Sequence, residues 1–220
     1  MSKSKMELSE AKLIKKTEIA PGVFVISYQR NFTFLPGQVV AIAVNRDEKP
    51  RMYSIASGNT EAEISIIFNI KPGGELTPQL AGLMPGDSIY TTGPMGNFYG
   101  SDEPAVWIAN GTGIAPFVSM WRSGFRNDKI IVHGGRYLNS FYFENDFKNE
   151  LGEKYIRCCT RENAETVFFG RITKWLTEQS ALPTNRKYYL CGSAEMVVEV
   201  RDILIEKGIK YDQIVAEIYF

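Results

Sequence analysis

The sequence predicts an antiparallel β-barrel followed by a doubly wound α/β domain with a five-stranded parallel sheet. Two observations carry that expectation. Up to about Thr92, short runs of β-branched and aromatic residues lie between turn residues, the pattern of an antiparallel barrel or sandwich. From Pro104 onward, apolar runs alternate with helical stretches, which implies a parallel sheet covered on both faces. Asp102-Glu103-Pro104 marks the seam, so the expected domains span residues 1–100 and 101–220.

In the first half, Val23-Phe-Val-Ile-Ser-Tyr28 is opened by Pro21-Gly22, and Val39-Val-Ala-Ile-Ala-Val44 follows Pro36-Gly37. Ile64, Ile66, Phe68 and Ile70 alternate with the period of two that marks a half-buried strand. Ser88-Ile-Tyr-Thr-Thr92 follows Pro85-Gly86-Asp87. In the second half, strands are expected at Ala105–Ala109, Lys129–His133, Tyr155–Cys159, Lys187–Cys191 and Ile214–Ile218, with helices between them. The clearest helix runs from Ala194 to Lys207 and stops at Gly208, a residue that accepts the left-handed conformation closing a helix.

Composition narrows the function classes. At about 100–200 residues per domain, 220 residues make one large domain or two small ones. Hydrophobic residues are 44% and charged residues 23%, which excludes a disordered tail, a collagen-like fibre and a basic nucleic-acid arm. Lys+Arg and Asp+Glu are 25 each, so no net field steers the chain to DNA or a membrane. Cys158, Cys159 and Cys191 form no C-x-x-C pair and fall short of the four thiolates of an ordinary iron–sulfur cluster. Met1-Ser-Lys-Ser-Lys-Met-Glu lacks the apolar run of a signal peptide, and no stretch of about 18 apolar residues occurs. A cytoplasmic protein with no metal site, no membrane span and no nucleic-acid partner is the expectation.

Three stretches carry chemistry. In Arg51-Met-Tyr-Ser54, the guanidinium is a planar fork suited to phosphate, the tyrosine a flat aromatic face and the serine a hydroxyl for a ring nitrogen. The plain alternative is a surface arginine beside a core tyrosine. In Lys71-Pro-Gly-Gly-Glu-Leu-Thr-Pro78, Thr77 as N-cap and Pro78 at the first helical position would open a helix behind two glycines, an arrangement that binds anions. A hairpin turn leading into a short helix is the alternative. Gly111-Thr-Gly-Ile-Ala-Pro116 follows a predicted strand and opens a helix, at the edge where α/β sheets bind nucleotides.

Taken in order, Arg51-Met-Tyr-Ser54, Gly74-Glu-Leu-Thr77, Gly111-Thr-Gly-Ile-Ala-Pro116, Leu190-Cys-Gly192 and Ala216-Glu-Ile-Tyr-Phe220 resemble the ferredoxin–NADP reductase family, and the ending is similar to its compact bacterial members. The resemblance implies an FAD barrel and an NADP domain, with a role for each matched position. Arg51 would neutralise an FAD phosphate, Tyr53 would stack on the isoalloxazine next to Met52, and Ser54 would hydrogen-bond near flavin N5. Gly74 and Thr77 would hold the pyrophosphate with Leu76 between them, and Ile67, Phe68 and Asn69 would line the cofactor. Gly111, Thr112 and Gly113 would contact the pyridine nucleotide, and Cys191, Gly192 and Glu217 would sit by the nicotinamide. Tyr219 would cover the other flavin face and move aside when nicotinamide enters. Phe220 would meet the adenine side of FAD. Ser54, Cys191, Glu217 and Tyr219 are thereby the candidate catalytic residues.

Arg136, Arg161 and Arg171, each near a strand end or a helix start, would hold the 2′-phosphate of NADP; solvated surface arginines are the alternative. The implied activity is electron exchange between NADP(H) and ferredoxin or flavodoxin, by hydride transfer to FAD; the oligomeric state is not written in the sequence, and a monomer is the expectation. The reductase component of an oxygenase or hydroxylase system and a free-flavin reductase are the enzymatic rivals. An NADP-binding sensor without turnover is the non-enzymatic one. His133, the single histidine, has no carboxylate or cysteine partner in sequence and is expected to be structural. Cys158 and Cys159 are expected to pack on opposite sides of a strand, and Trp107, Trp121 and Trp175 to lie in the core. Lys3, Lys5, Lys12, Lys15 and Lys16 either attract an acidic carrier or simply solvate the terminus. The chain departs from the family pattern at Asn110, where a smaller residue is common, and at Phe220, where some bacterial relatives carry tryptophan.

Overall fold

The computed structural model describes residues 6–219; Lys3, Lys5, Phe220 and the side chain of Tyr219 lie outside the described residues. The chain divides into two compact units, Met1–Tyr99 and Gly100–Phe220. No helix among the described residues is long and apolar enough to cross a membrane.

The first unit is a six-stranded antiparallel sheet of β1 (Ser9–Ala20), β2 (Val23–Gln29), β3 (Val39–Ala43), β4 (Arg51–Ser54), β5 (Glu63–Asn69) and β6 (Ser88–Thr91), in the order β4-β3-β6-β1-β2-β5. Its outer strands meet. Ile55 bridges to Ile66, and the Ala56 N–H donates to the Ser65 carbonyl at 2.7 Å, so the sheet closes on itself and hides its edges. Tyr28, Val40, Ile42, Ile55, Ile64, Ile66 and Ile89 fill the interior, and the short helix α1 (Leu76–Gly82) adds Leu76 and Leu80 to that core, one turn apart.

Strand β1 escapes sequence reading because its apolar face is thin. Of Ser9-Glu-Ala-Lys-Leu-Ile-Lys-Lys-Thr-Glu-Ile-Ala20, only Leu13 is buried. Pairing holds the strand instead: it lies between β2 and β6, with register shifts at Leu13/Lys15 and Glu18/Ala20 that let a long strand bend around the barrel. The lysines there have local partners. Lys12 Nζ donates to Ser88 Oγ at 2.6 Å, and Lys16 Nζ donates to the Ala81 carbonyl at 2.5 Å while lying 5.8 Å from the Phe24 ring centre.

The second unit is a parallel sheet of β7 (Ala105–Asn110), β8 (Lys129–Gly135), β9 (Tyr155–Cys159), β10 (Phe168–Phe169), β11 (Lys187–Ser193) and β12 (Ile214–Tyr219), in the order β10-β9-β8-β7-β11-β12. The sheet thus has a sixth strand, the two-residue β10 at its edge, too short to show a period in the sequence. Helices α2 (Ala115–Arg122), α3 (Glu144–Leu151), α4 (Ile172–Glu178) and α5 (Ala194–Glu206) cover it. The helix expected from Ala194 ends as the sequence indicates: Gly208 takes φ +86°, and the Ile209 N–H donates to Leu204 O at 3.0 Å.

One face of this sheet packs Val106, Ile108, Val132, Leu190 and Cys158 against α4 and α5 through Ile172, Leu176, Val197 and Val200. Trp107 stacks on Phe117 of α2, with ring centres 5.3 Å apart, and Trp121 meets Phe147 of α3 edge-on at 5.6 Å. Trp107 and Trp121 are buried and Trp175 is partly so. The polar Ser101–Glu103 stretch is pinned to this unit rather than hanging as a linker. The fully buried Lys129 donates its ammonium protons to the carbonyls of Ser101 and Glu103 and lies 5.4 Å from the Trp107 ring centre. A buried ammonium is tolerable only when its protons are so taken.

Candidate functional site

Two surfaces, one in each unit, gather the residues that the sequence singles out. In the first unit, β4 pairs with β3 so that Arg51 lies opposite Ile42 and Tyr53 opposite Val40. Residues two apart on a strand share a face, so Arg51 and Tyr53 stand side by side. Arg51 and Met52 are exposed, Tyr53 is half-buried and Ser54 is buried. The Tyr53 ring meets Phe68 of β5 edge-on at 6.4 Å, and Phe68 stacks on Phe24 at 5.7 Å. Burial pushes the Tyr53 phenol up to about 12 against the opposing pull of Arg51, so the ring stays neutral at physiological pH. A neutral flat ring beside an exposed guanidinium fits a cofactor with an aromatic ring system and a phosphate.

The glycine loop differs from its expected form. Thr77 is not the N-cap of α1. Glu75 holds that position with helical dihedrals, the helix begins at Leu76, and Thr77 lies within the first turn. The reason is a better local use for its hydroxyl: Thr77 Oγ1 accepts the Lys71 N–H at 2.9 Å. A second bond, from Gly74 N–H to Lys71 O at 2.8 Å, tightens the turn. A Cβ at Gly74 would lie only 3.0 Å from that oxygen, whereas Gly73, at φ +70°, needs glycine for its conformation. Leu76, Ile67 and Phe68 are buried in the barrel, so there only Asn69 is exposed.

In the second unit the strand order sets the position of the site. From β7 the chain winds outward through β8, β9 and β10, then returns to β11 on the other side of β7. The crevice of an open α/β sheet lies at such a reversal, outside the carboxyl ends of the strands. Here those ends are Asn110–Gly113 and Cys191–Ser193. They touch backbone to backbone: a Cβ on Gly113 would lie 2.4 Å from the Cys191 carbonyl oxygen and 2.6 Å from Gly192 Cα. Gly111 has φ +55° and Gly192 φ +150°. Pro116 sits in the first turn of α2, where its missing N–H costs nothing. Cys191 is buried, lies in register with Ala109 and with Glu217, and so shares a sheet face with that half-buried carboxylate. Two glycine loops held this close at the carboxyl ends of their strands fit the approach of a dinucleotide.

The three arginines divide. The ladder between β8 and β9 continues past the sheet, with Thr160 N–H donating to Gly135 O at 3.1 Å and Arg161 N–H to Arg136 O at 2.9 Å. Exposed Arg136 and Arg161 therefore lie next to each other. Arg171 instead pairs with Glu195 Oε1 at 3.3 Å. Both groups are largely exposed, so the pair is cheap to break. Thr112 is half-buried in the Gly111 loop.

His133 is fully buried. Its Nδ1 lies 3.0 Å from the Tyr155 hydroxyl, and burial pushes the imidazole down to about 3, with the Gly111 backbone opposing. It is neutral at pH 7, and its burial makes it a weak proton acceptor. Cys158 packs in the core on the α4–α5 side, and Cys159 Sγ donates to Arg136 O at 3.2 Å. Sequence reading missed Asn110, Ser193 and Glu195 as parts of the site. Ser193 could have been found from its place directly before the helical run; Asn110 gave only a departure from pattern as its signal.

Comparison with known proteins follows this geometry. Residues 7–99 match the oxidoreductase FAD-binding domain family and residues 107–202 the oxidoreductase NAD-binding domain family. The toluate 1,2-dioxygenase electron transfer component of Pseudomonas putida is 26% identical over 92% of this chain and 63% of its own length. The flavodoxin/ferredoxin–NADP reductase of Escherichia coli is 28% identical over 74% of this chain and 76% of its own. A ferredoxin NADP+ reductase from Neisseria gonorrhoeae, solved with bound FAD and NADP, superposes with a TM-score of 0.86 at 20% identity, covering 98% of this chain and all of that one. The chain spans 55–63% of the length of the dioxygenase and monooxygenase components it matches.

Proposed function

Because this chain belongs to the ferredoxin–NADP reductase family of FAD- and NAD-binding oxidoreductases, we propose that it exchanges electrons between NADP(H) and a one-electron carrier of ferredoxin or flavodoxin type. The observation that carries this reading is the crevice between β7 and β11, where Gly113 lets the two loops meet backbone to backbone beside Gly192 and Cys191 lies in register with Glu217. FAD, when bound, supplies the conversion between paired and single electrons, which no protein side chain here provides.

The chain's own residues bind, orient and select. Arg51 neutralises phosphate charge on the barrel surface, and Tyr53 offers an uncharged ring on which a flavin stacks. The Ser54 hydroxyl orients the reacting edge of that ring. Gly74 and Thr77 shape the loop that holds the pyrophosphate. Gly111, Thr112 and Gly113 admit the nicotinamide nucleotide, and Cys191, Gly192 and Glu217 position its ring. Arg136 and Arg161 favour NADP over NAD by facing the 2′-phosphate together, and Arg171 joins them on releasing Glu195.

A second reading, the reductase component of an oxygenase system, is favoured by the dioxygenase relative that matches 92% of the chain. The two readings share the first half-reaction and differ in the acceptor. Anaerobic titration of the purified protein with NADPH tests the shared part: yellow protein that NADPH bleaches is expected. Colourless protein that takes up no FAD, or yellow protein that stays yellow, refutes it. Cytochrome c reduction dependent on added ferredoxin or flavodoxin, against added Rieske-type protein, separates the acceptors.

A further inference from the structure

Resting on the nicotinamide-nucleotide reading of the β7–β11 crevice, we propose that Asn110 is a positioning residue. It clamps the Cys191-Gly192-Ser193 turn to the Gly111–Ile114 loop and so sets the affinity for the nicotinamide half of the dinucleotide.

The ladder between β7 and β11 ends at the pair Ala109 and Cys191. Beyond it the outer neighbours still pair, Asn110 with Gly134 on one side and Ser193 with Tyr219 on the other. The sheet is therefore split between β7 and β11 alone, and the Asn110 carboxamide spans the split. Its Oδ1 accepts the Ser193 N–H at 3.0 Å, and its Nδ2 donates to Ser193 Oγ at 3.0 Å. The same Oγ accepts the Met196 N–H at 3.4 Å and caps α5. A carboxamide carries a donor and an acceptor on neighbouring atoms, so one asparagine engages both the backbone and the side chain of one serine.

The glycine at 192 is the counterpart of this clamp. A Cβ there would stand 1.9 Å from Asn110 Oδ1 and 2.9 Å from Met196 Cε, at a backbone φ of +150°. Asn110 thus occupies the space that any other residue at 192 would need. With the turn held before the nucleotide arrives, binding does not have to order it, and that ordering cost is removed from the dissociation constant.

Isothermal titration of the FAD-loaded protein with NADP+ and with 2′,5′-ADP, which lacks the nicotinamide half, tests the proposal. Asn110→Ala is expected to weaken NADP+ about five- to thirtyfold, the effect of two lost hydrogen bonds, and to change 2′,5′-ADP less than about twofold. Gly192→Ala is expected to abolish NADP+ binding, and adding Asn110→Ala to it to restore part, since the 1.9 Å obstruction is gone. Unchanged NADP+ affinity in Asn110→Ala overturns the clamp, and so does an equal loss for both ligands, which marks a general structural defect. Should Asn110→Ala fail to fold, Asn110→Ser, too short to span the split, carries the same comparison. Wild-type protein that binds neither ligand refutes the nucleotide reading itself, and the clamp's role with it.

Discussion

Gly113→Ala probes the crevice at its tightest point. The added methyl would meet only backbone: the Cys191 carbonyl oxygen at 2.4 Å, its carbonyl carbon at 2.7 Å and Gly192 Cα at 2.6 Å. Nothing there can swing aside like a long side chain. Restoring ordinary contact near 3.4 Å parts the two loops by about 1 Å in a close-packed interior. Overpacking of this kind costs about 1–3 kcal/mol, which a unit of this size survives. A displacement of about 1 Å between reacting groups costs about a hundredfold in rate. Flavin content by visible absorption should therefore stay at the wild-type level, and stopped-flow reduction by NADPH should slow about a hundredfold. Gly111→Ala is the control. No atom lies within 4 Å of its added methyl, so only the strain of φ +55° remains, and the slowing should be far smaller. Wild-type reduction rates in Gly113→Ala, or equal losses in both variants, would refute the assignment of this crevice to the nicotinamide nucleotide.

Arg161→Ala should lower kcat/KM for NADPH much more than for NADH, and Arg171→Ala, whose guanidinium already has Glu195, should lower it less; steady-state kinetics with both nucleotides check this. Thr77→Val removes the acceptor of the Lys71 N–H and should cost about 1 kcal/mol and speed FAD loss, measured by flavin fluorescence on dilution. His133 has a folded pKa of about 3 against the ordinary 6.5, so the unfolded chain takes up a proton that the folded chain refuses. Its contribution is intact above pH 6.5 and is lost as pH falls from there toward 3. His133→Gln should therefore flatten the stability loss between pH 6.5 and 5, above the carboxylate range, in urea melts.

What the sequence revealed was whatever repeats a period or carries a turn signal. The nine strands expected from apolar runs lie where the runs lie, from Val23–Gln29 to Ile214–Tyr219. Strand β1 was hidden because barrel pairing, not burial, holds it, and β10 because two residues have no period. Thr77 misled for a physical reason: a threonine before a proline suits a cap, but its hydroxyl was worth more to the open Lys71 N–H six residues back. At the crevice, the glycines could be read from the string Gly111-Thr-Gly113. Their partners could not, because Ser193 lies 83 residues from Asn110 and only the return of β11 to the side of β7 joins them.

The same long-range logic bears on the arginines. A chain with zero formal net charge still sets Arg136 and Arg161 on neighbouring backbone segments just past the ends of β8 and β9, joined by a backbone hydrogen bond of 2.9 Å. Two exposed like charges on adjoining segments gain nothing from each other in folding. A nearby dianion converts the placement into two charge-assisted contacts. Arg171 differs in having a partner already: α5 supplies the Glu195 carboxylate at 3.3 Å, an exposed contact that must be released before this guanidinium joins the other two. The pair should accordingly tighten with 2′,5′-ADP over 5′-AMP by a margin that Arg136→Ala and Arg161→Ala each erase in large part, and a preference that survives both substitutions would place the 2′-phosphate elsewhere.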